Sequence, residues 1–531
     1  MADAPTKRPR SDEGVDNASA CLSPRRRRWL LTVASLNVLL VMASMVALNA
    51  ALGDVALDTS ATQIQLTWIV DGYTVALACL LLPAGALGDR YGRRGALLVG
   101  LLIFTFASAA PTIWDAPWEI VAARAVAGVG AALMMPATLS LLTSAYPREE
   151  RNKAVGIWAG VAGSGAIFGF LGAGVLLSFF SWQSIFYGFA GAGLLLLCLT
   201  LTVGSTRDET ATPIDWRGAV LVGSAIAVFV LGVVEAPTRG WTDAVVVGCL
   251  IVSMLFSVAF TWLQLRTPHP LLDVRLFANP GFGAGALAIT FLFFAMFGFF
   301  YLVMQFMQLV MGYSALQTAL ALAPLAVPML AISSTIHLYL PKIGLRFALA
   351  TGLSLLAVGL LWMTTLDPDT TFVDLVGPLV VSSLGLGFVM SPATSAIMTA
   401  APDEKQGVAS AVNDATRELG AAIGIAVAGS VLAAEYRDSL APAVAGLPAG
   451  PRAAATDSLS SALAVSEKLG PAGTDLARFA EAAFVHAMGQ ALYALCAALF
   501  VGAAALVFVS PGRQGRQWAL PRRRRGRHWS T

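Results

Sequence analysis

The sequence predicts an all-α integral membrane protein with about fourteen spanning helices, and three observations predict it. Of its 531 residues, 57% are hydrophobic and only 12% are charged, with a mean hydropathy of +0.73, whereas soluble domains carry roughly 25% charged residues. Apolar runs recur from about position 29 to position 510, with no polar segment between them long enough for a soluble domain. The runs have the length of lipid-spanning helices, well beyond a barrel strand, and only these two structures satisfy the backbone in lipid.

In chain order, arginines at 25–28 precede the first span, 29–52. The basic start and the Ala-Leu-Asn-Ala-Ala that closes this stretch imitate a signal peptide. Its apolar part is too long for one and further spans follow, so it reads as an uncleaved first helix. Spans then fall at 64–88, 94–110, 118–144, 153–178 and 182–203, next at 217–237 and 243–264, and finally at 283–311, 315–338, 345–364, 374–400, 406–436 and 482–510. Connections on the side of the two chain ends hold 27 lysines and arginines, those on the other side five (Arg239, Arg437, Arg452, Lys468 and Arg478), and Arg124 and Arg417 remain inside spans. The positive-inside rule then makes both termini cytoplasmic, which requires an even number of helices. Residues 1–28 are expected to be a disordered tail, 511–531 a basic tail, and 437–481 a flexible outer loop too poor in large apolar residues to form a core.

Several function classes drop out. The terminal arginine clusters, at 25–28 and at Arg522, Arg523, Arg524, Arg525 and Arg527, flank membrane helices, where they set orientation and touch anionic lipid rather than nucleic acid. Cys79, Cys198, Cys249 and Cys496 fall in apolar runs and Cys21 in the tail, with no disulfide or metal spacing. No Gly-Lys pair exists for a phosphate loop, and four scattered histidines cannot form His-Glu-x-x-His. No catalytic apparatus, metal or cofactor is called for.

Four motifs carry more. Gly85-Ala-Leu-Gly-Asp89-Arg90-Tyr-Gly92-Arg93-Arg94 joins the second and third spans; its glycines allow a tight turn, and Asp89 suits a helix cap or an arginine partner. The basic residues and second glycine recur in Leu340-Pro341-Lys342-Ile343-Gly344-Leu345-Arg346, without the acid, a weak internal repeat that points to two related halves. Arg124-Ala-Val-Ala-Gly128-Val-Gly130 places an arginine in the fourth span, where it must face a partner or water. Gly160, Gly163, Gly165, Gly169, Gly172 and Gly174 line the fifth span and let helices approach closely.

Taken with Trp182, Phe186, Pro270-Leu-Leu-Asp-Val-Arg-Leu-Phe277, Gly312-Tyr-Ser-Ala-Leu-Gln317, and Gly385-Leu-Gly387 with Pro392, the chain resembles the major facilitator superfamily, in its fourteen-helix drug/proton antiporter branch of the QacA and EmrB type. The resemblance implies two six-helix halves (29–203 and 265–510) around two linker helices (204–264). It makes Gly85, Asp89, Arg90, Gly92 and Arg93 a conformational latch. Arg124 is implicated in proton coupling, and Gly165, Gly169, Gly172 and Gly174 are the packing residues of the antiporter motif. Two departures stand out: Gly169-Phe170 replaces the motif's Gly-Pro, and Ser44 occupies the place of an acid in the first helix.

Acids at membrane depth are functional candidates. Asp71 lies in the second span, and Asp414 and Glu418 lie four residues apart on one face of the thirteenth. The alternative to a functional role is that Arg417 neutralises one of these two as a structural pair, Glu418 before Asp414. A buried carboxyl takes either a proton or a cation, so the two compete for it. Asp71 either takes over the role of the acid missing at Ser44 or the substrate needs one counter-charge fewer. The resemblance thus implies a monomeric exporter of a bacterial inner membrane that exchanges protons for small lipophilic, cationic compounds. A proton-coupled symporter of a small metabolite and a non-transporting receptor on the same fold are the alternatives.

Overall fold

The computed structural model describes residues 23–204 and 213–512. Residues 1–22 of the expected N-terminal tail and the arginines at 522–525 and 527 lie outside them. Among the described residues there is no strand, and fourteen helices are long and apolar enough to cross a membrane. The first six are α1 Pro24–Ala50, α2 Gln65–Tyr91, α3 Arg93–Thr112, α4 Pro117–Ala145, α5 Glu149–Phe179 and α6 Gln183–Thr200. Two more follow, α7 Trp216–Pro237 and α8 Ala244–Arg266. The last six are α9 Pro280–Val310, α10 Leu316–Ser334, α11 Ile336–Met363, α12 Phe372–Ala400, α13 Gln406–Leu440 and α14 Thr474–Val509.

Helix ends follow local chemistry. Pro24 opens α1, and the Ser23 hydroxyl accepts from the Arg26 amide, so the arginines at 25–28 are helical rather than part of a disordered tail. Gly92 turns the chain between α2 and α3 at φ 111°, and Gly344 turns it inside α11 at φ 80°, a region that a side chain disfavours. The two glycines occupy matching positions of the two related motifs. Each is followed two residues later by an arginine that holds the end of the sixth helix of its half: Arg94 donates to the Leu201 carbonyl, and Arg346 to that of Ser510 at 2.8 Å.

The first six helices pack as α2 on α4, α3 on α4, α1 on α5 and α3 on α6; the last six repeat this as α10 on α12, α11 on α12, α9 on α13 and α11 on α14. Across the halves, α2 meets α13 and α10 meets α5, and α4 meets α13 as α12 meets α5. A pseudo-twofold relation runs through all of these pairs. The pair α7–α8 stands outside the two halves. It leans on the seam of α2 and α13, with Gly223 close to the Cys79 carbonyl and the Trp241 indole donating to Ser430 at 3.0 Å.

The segment 437–481 corrects the expectation of a flexible loop. Helix α13 runs on to Leu440 and helix Ala449–Asp457 packs against it, while helix Leu459–Leu469 packs on Ala449–Asp457 and on α14; Val444, Ala455, Leu459 and Ala462 are buried, and the Tyr436 hydroxyl donates to the Ala455 carbonyl at 3.3 Å. Small alanines at helical spacing pack closely without large apolar side chains.

Candidate functional site

The polar residues that the sequence singles out fall into three places. The first is the face of the bundle where α1 begins and α14 ends, here the terminal face. Asp89, at the end of α2, accepts from Arg93 Nε at 2.9 Å and Nη2 at 2.8 Å, and from the Gly407 and Val408 amides at 2.9 and 3.1 Å. It therefore caps not the next helix but α13, in the opposite half, where free amides and the helix dipole favour an anion. Arg93 also donates to the Asp403 carbonyl at 3.1 Å. A β-carbon on Gly85 would stand 2.5 Å from the Gly407 carbonyl, so only glycine lets α2 and α13 come this close. Arg90 lies over the Tyr91 ring at 5.3 Å. Two contacts that the sequence does not reveal add to the closure: Arg151 pairs with Asp403 at 3.1 Å, and Ser395 donates to Asn152.

The second place is Arg124 on α4. It is 2% exposed and, among the described residues, meets no carboxylate. Its guanidinium donates to the Ser44 hydroxyl and carbonyl, both at 3.0 Å, and to the Ile69 carbonyl at 3.1 Å, and it lies 4.3 Å from the centre of the Tyr73 ring. Ser44, at the position of the missing acid, is thus a neutral partner of the arginine. Asp71, on the neighbouring helix, is only partly buried and makes no ion pair or hydrogen bond among the described residues. The structure does not bring it to Arg124 as a substitute counter-ion.

The third place is mid-bundle. Arg417 stands eleven residues into α13, roughly 17 Å from its start at a helical rise of 1.5 Å per residue. Asp414, Arg417 and Glu418 are 0%, 1% and 4% exposed. Arg417 meets Asp414, with Nη1 to Oδ1 at 3.8 Å, and Asp414 also accepts from Asn413 at 3.1 Å. Among the described residues none of the three guanidinium nitrogens finds a hydrogen-bond partner, nor do Asp414 Oδ2 and Glu418 Oε2. The guanidinium lies instead over the rings of Trp158 on α5 and Phe293 on α9, each 5.2 Å away. A charged cluster this deep and this incompletely bonded is expensive to keep, and such intramembrane groups mark pathways. Trp158 escapes a reading of the sequence, because an aromatic residue in an apolar span carries no signal. The need of a buried arginine for ring faces is the one clue to it.

The glycines of α5 divide. A β-carbon on Gly169 would stand 2.7 Å from Ala43 of α1, one on Gly174 3.0 Å from Leu316 of α10, and one on Gly165 would run into Met42. Gly172 is exposed and such an atom would meet nothing within 4 Å, so it has no packing role in this structure. Trp182, at the start of α6, donates to Asp58 at 2.9 Å. Among the described residues no group of His, Cys, Asp and Glu could hold a metal ion.

Comparison with known proteins agrees with this architecture. The chain is 34% identical over 496 residues to the multidrug efflux pump LfrA of Mycolicibacterium smegmatis, covering 92% of this chain and 97% of that one. It is 32% identical over 420 residues to the multidrug resistance protein Stp of Mycobacterium tuberculosis, covering 78% of each. Its fold matches the crystal structure of the human organic anion transporter MFSD10 with a TM-score of 0.56 at 15% identity, over 90% of this chain and all of that one. Residues 34–425 match the Major Facilitator Superfamily. With two pseudo-symmetric sets of six helices, an acid of one half capping a helix of the other, and this match over most of its length, the chain belongs to the major facilitator superfamily.

Proposed function

We propose that the protein is a monomeric secondary active efflux transporter of a bacterial inner membrane, which exchanges protons for small lipophilic, cationic drugs by alternating access. The terminal face is then cytoplasmic, as the placement of 27 of the 34 basic residues indicates. The observation that carries the reading is the buried cluster of Asp414, Arg417 and Glu418, set mid-bundle where the halves meet and left with unpartnered oxygens and nitrogens. A carboxylate there holds a cation; once protonated it releases it, and the two ligands exchange across a site that opens to one side at a time. Asp89 and the two α13 amides that donate to it, those of Gly407 and Val408, hold the cytoplasmic side shut until the cluster changes occupancy. Relatives named for multidrug resistance and efflux support export as the direction.

The test uses energised inverted vesicles containing the protein and a lipophilic cationic dye. Accumulation that collapses with a protonophore and falls at least about tenfold in Asp414→Asn, a loss of roughly 1.4 kcal/mol or more, is the expected result. Accumulation that persists without a proton gradient sinks the exchange mechanism. Dye expulsion driven outward from the vesicles would reverse the direction and favour a symporter.

A further inference from the structure

Arg417 sits in a box with the make-up of a receptor for an organic cation. Two ring faces, those of Trp158 and Phe293, stand 5.2 Å from its guanidinium carbon. Asp414 and Glu418 supply carboxylates from the same helix. Aromatic faces and acids in a desolvated site are the chemistry that recognises ammonium and phosphonium groups. As an occupant, Arg417 fits poorly: it is buried, yet all three nitrogens lack a hydrogen bond, and Asp414 Oδ1 is 3.8 Å away. An arginine placed purely as a structural tie would use its planar fork on both carboxylate oxygens. The box is also split between the halves, with Trp158 in the first and Phe293, Asp414 and Glu418 in the second, so separating them opens it.

We propose that Arg417 is a tethered stand-in for the transported cation: with the halves closed, its guanidinium fills the subsite formed by Trp158, Phe293, Asp414 and Glu418, and a hydrophobic organic cation displaces it. This deepens the export reading above and rests on it. The incoming cation lays its apolar shell against the two rings and its charge against the carboxylates, and Arg417 withdraws. The resident competes with the ligand, so apparent affinity is reduced by the fraction of time the subsite is already filled.

The experiment is calorimetric titration of the purified full-length chain with tetraphenylphosphonium, with thermal melting to verify that each variant is folded. Arg417→Gln is expected to bind at least about fivefold tighter than the parent, and Arg417→Lys to stay within about twofold because an ammonium still competes. Trp158→Leu is expected to bind at least about fivefold more weakly, and Trp158→Phe, which keeps a ring face, to bind nearly as well as the parent. Should Arg417→Gln fail to fold, the two Trp158 variants still decide. Unchanged or weaker binding by folded Arg417→Gln, or undiminished binding by Trp158→Leu, overturns the stand-in and leaves export standing. A parent protein that neither binds the cation nor moves a lipophilic dye overturns the export reading itself.

Discussion

Arg124 is held by a hydroxyl, two carbonyls and a tyrosine face, all from α1 and α2. A lysine carries one compact ammonium in place of a planar fork and cannot reach Ser44 and Ile69 together. Arg124→Lys is therefore expected to cost about 1.5 to 3 kcal/mol, the worth of one hydrogen bond from a charged donor, read as a lowered melting temperature in detergent. It is also expected to reduce dye export at least about tenfold, a loss of roughly 1.4 kcal/mol in the transport step. Arg124, Asp414 and Glu418 are legible in the sequence because a charge stands out against an apolar run. Trp158 and Phe293 are not, since aromatic residues are ordinary there. The choice of partner follows helix geometry, since residues three apart face each other and adjacent ones do not: Arg417 meets Asp414 rather than Glu418.

Among the helices, α5 and α13 use one device twice. Gly165 and Gly169 bring α5 against α1, and Gly420 and Gly424, also four residues apart, bring α13 against Thr290 and Phe294 of α9. In the sequence only the first pair stands out, through a resemblance to exchangers. Its recurrence on the symmetry-related helix shows that close approach within a half is what these glycines provide. Gly169→Ala is expected to destabilise by about 1 to 3 kcal/mol, because backbone atoms of α1 cannot move aside. Gly172→Ala is expected to change stability by less than about 1 kcal/mol in either direction, its gain in helix propensity included. Thermal unfolding of the two variants side by side distinguishes packing from an exchange-specific role. The spans are legible because apolar length is a strong signal. The helices over 449–469 are not, because alanine-rich helices have no large residues to reveal a buried face.

At the scale of the whole molecule, the described contacts hold the two sets of helices closed on one face, through Asp89 on α13 and Arg151 on Asp403. An amide in place of the Asp89 carboxylate would lose the charge that strengthens the two hydrogen bonds crossing to α13, from the Gly407 and Val408 amides. Asp89→Asn is therefore expected to shift the balance toward the open face by about tenfold or more, roughly 1.4 kcal/mol. Spin labels at Tyr91→Cys and Ile343→Cys, on the two turns and both exposed, are expected to report a longer and broader distance distribution in that variant; an unchanged distribution counts against the latch. The turn itself is legible as a glycine between basic residues. That its acid caps a helix more than 300 residues away is not, since nothing local records the partner.

The ties of Arg94 to Leu201 and of Arg346 to Ser510 each begin and end within one half. So do the glycine contacts of α5 with α1 and of α13 with α9. Little that makes either bundle cohere depends on the peptide that joins them. The protein is in this sense two cooperating parts on one thread, and severing it between α6 and α7 is expected to leave fragments that, produced together, find each other in the membrane and restore export.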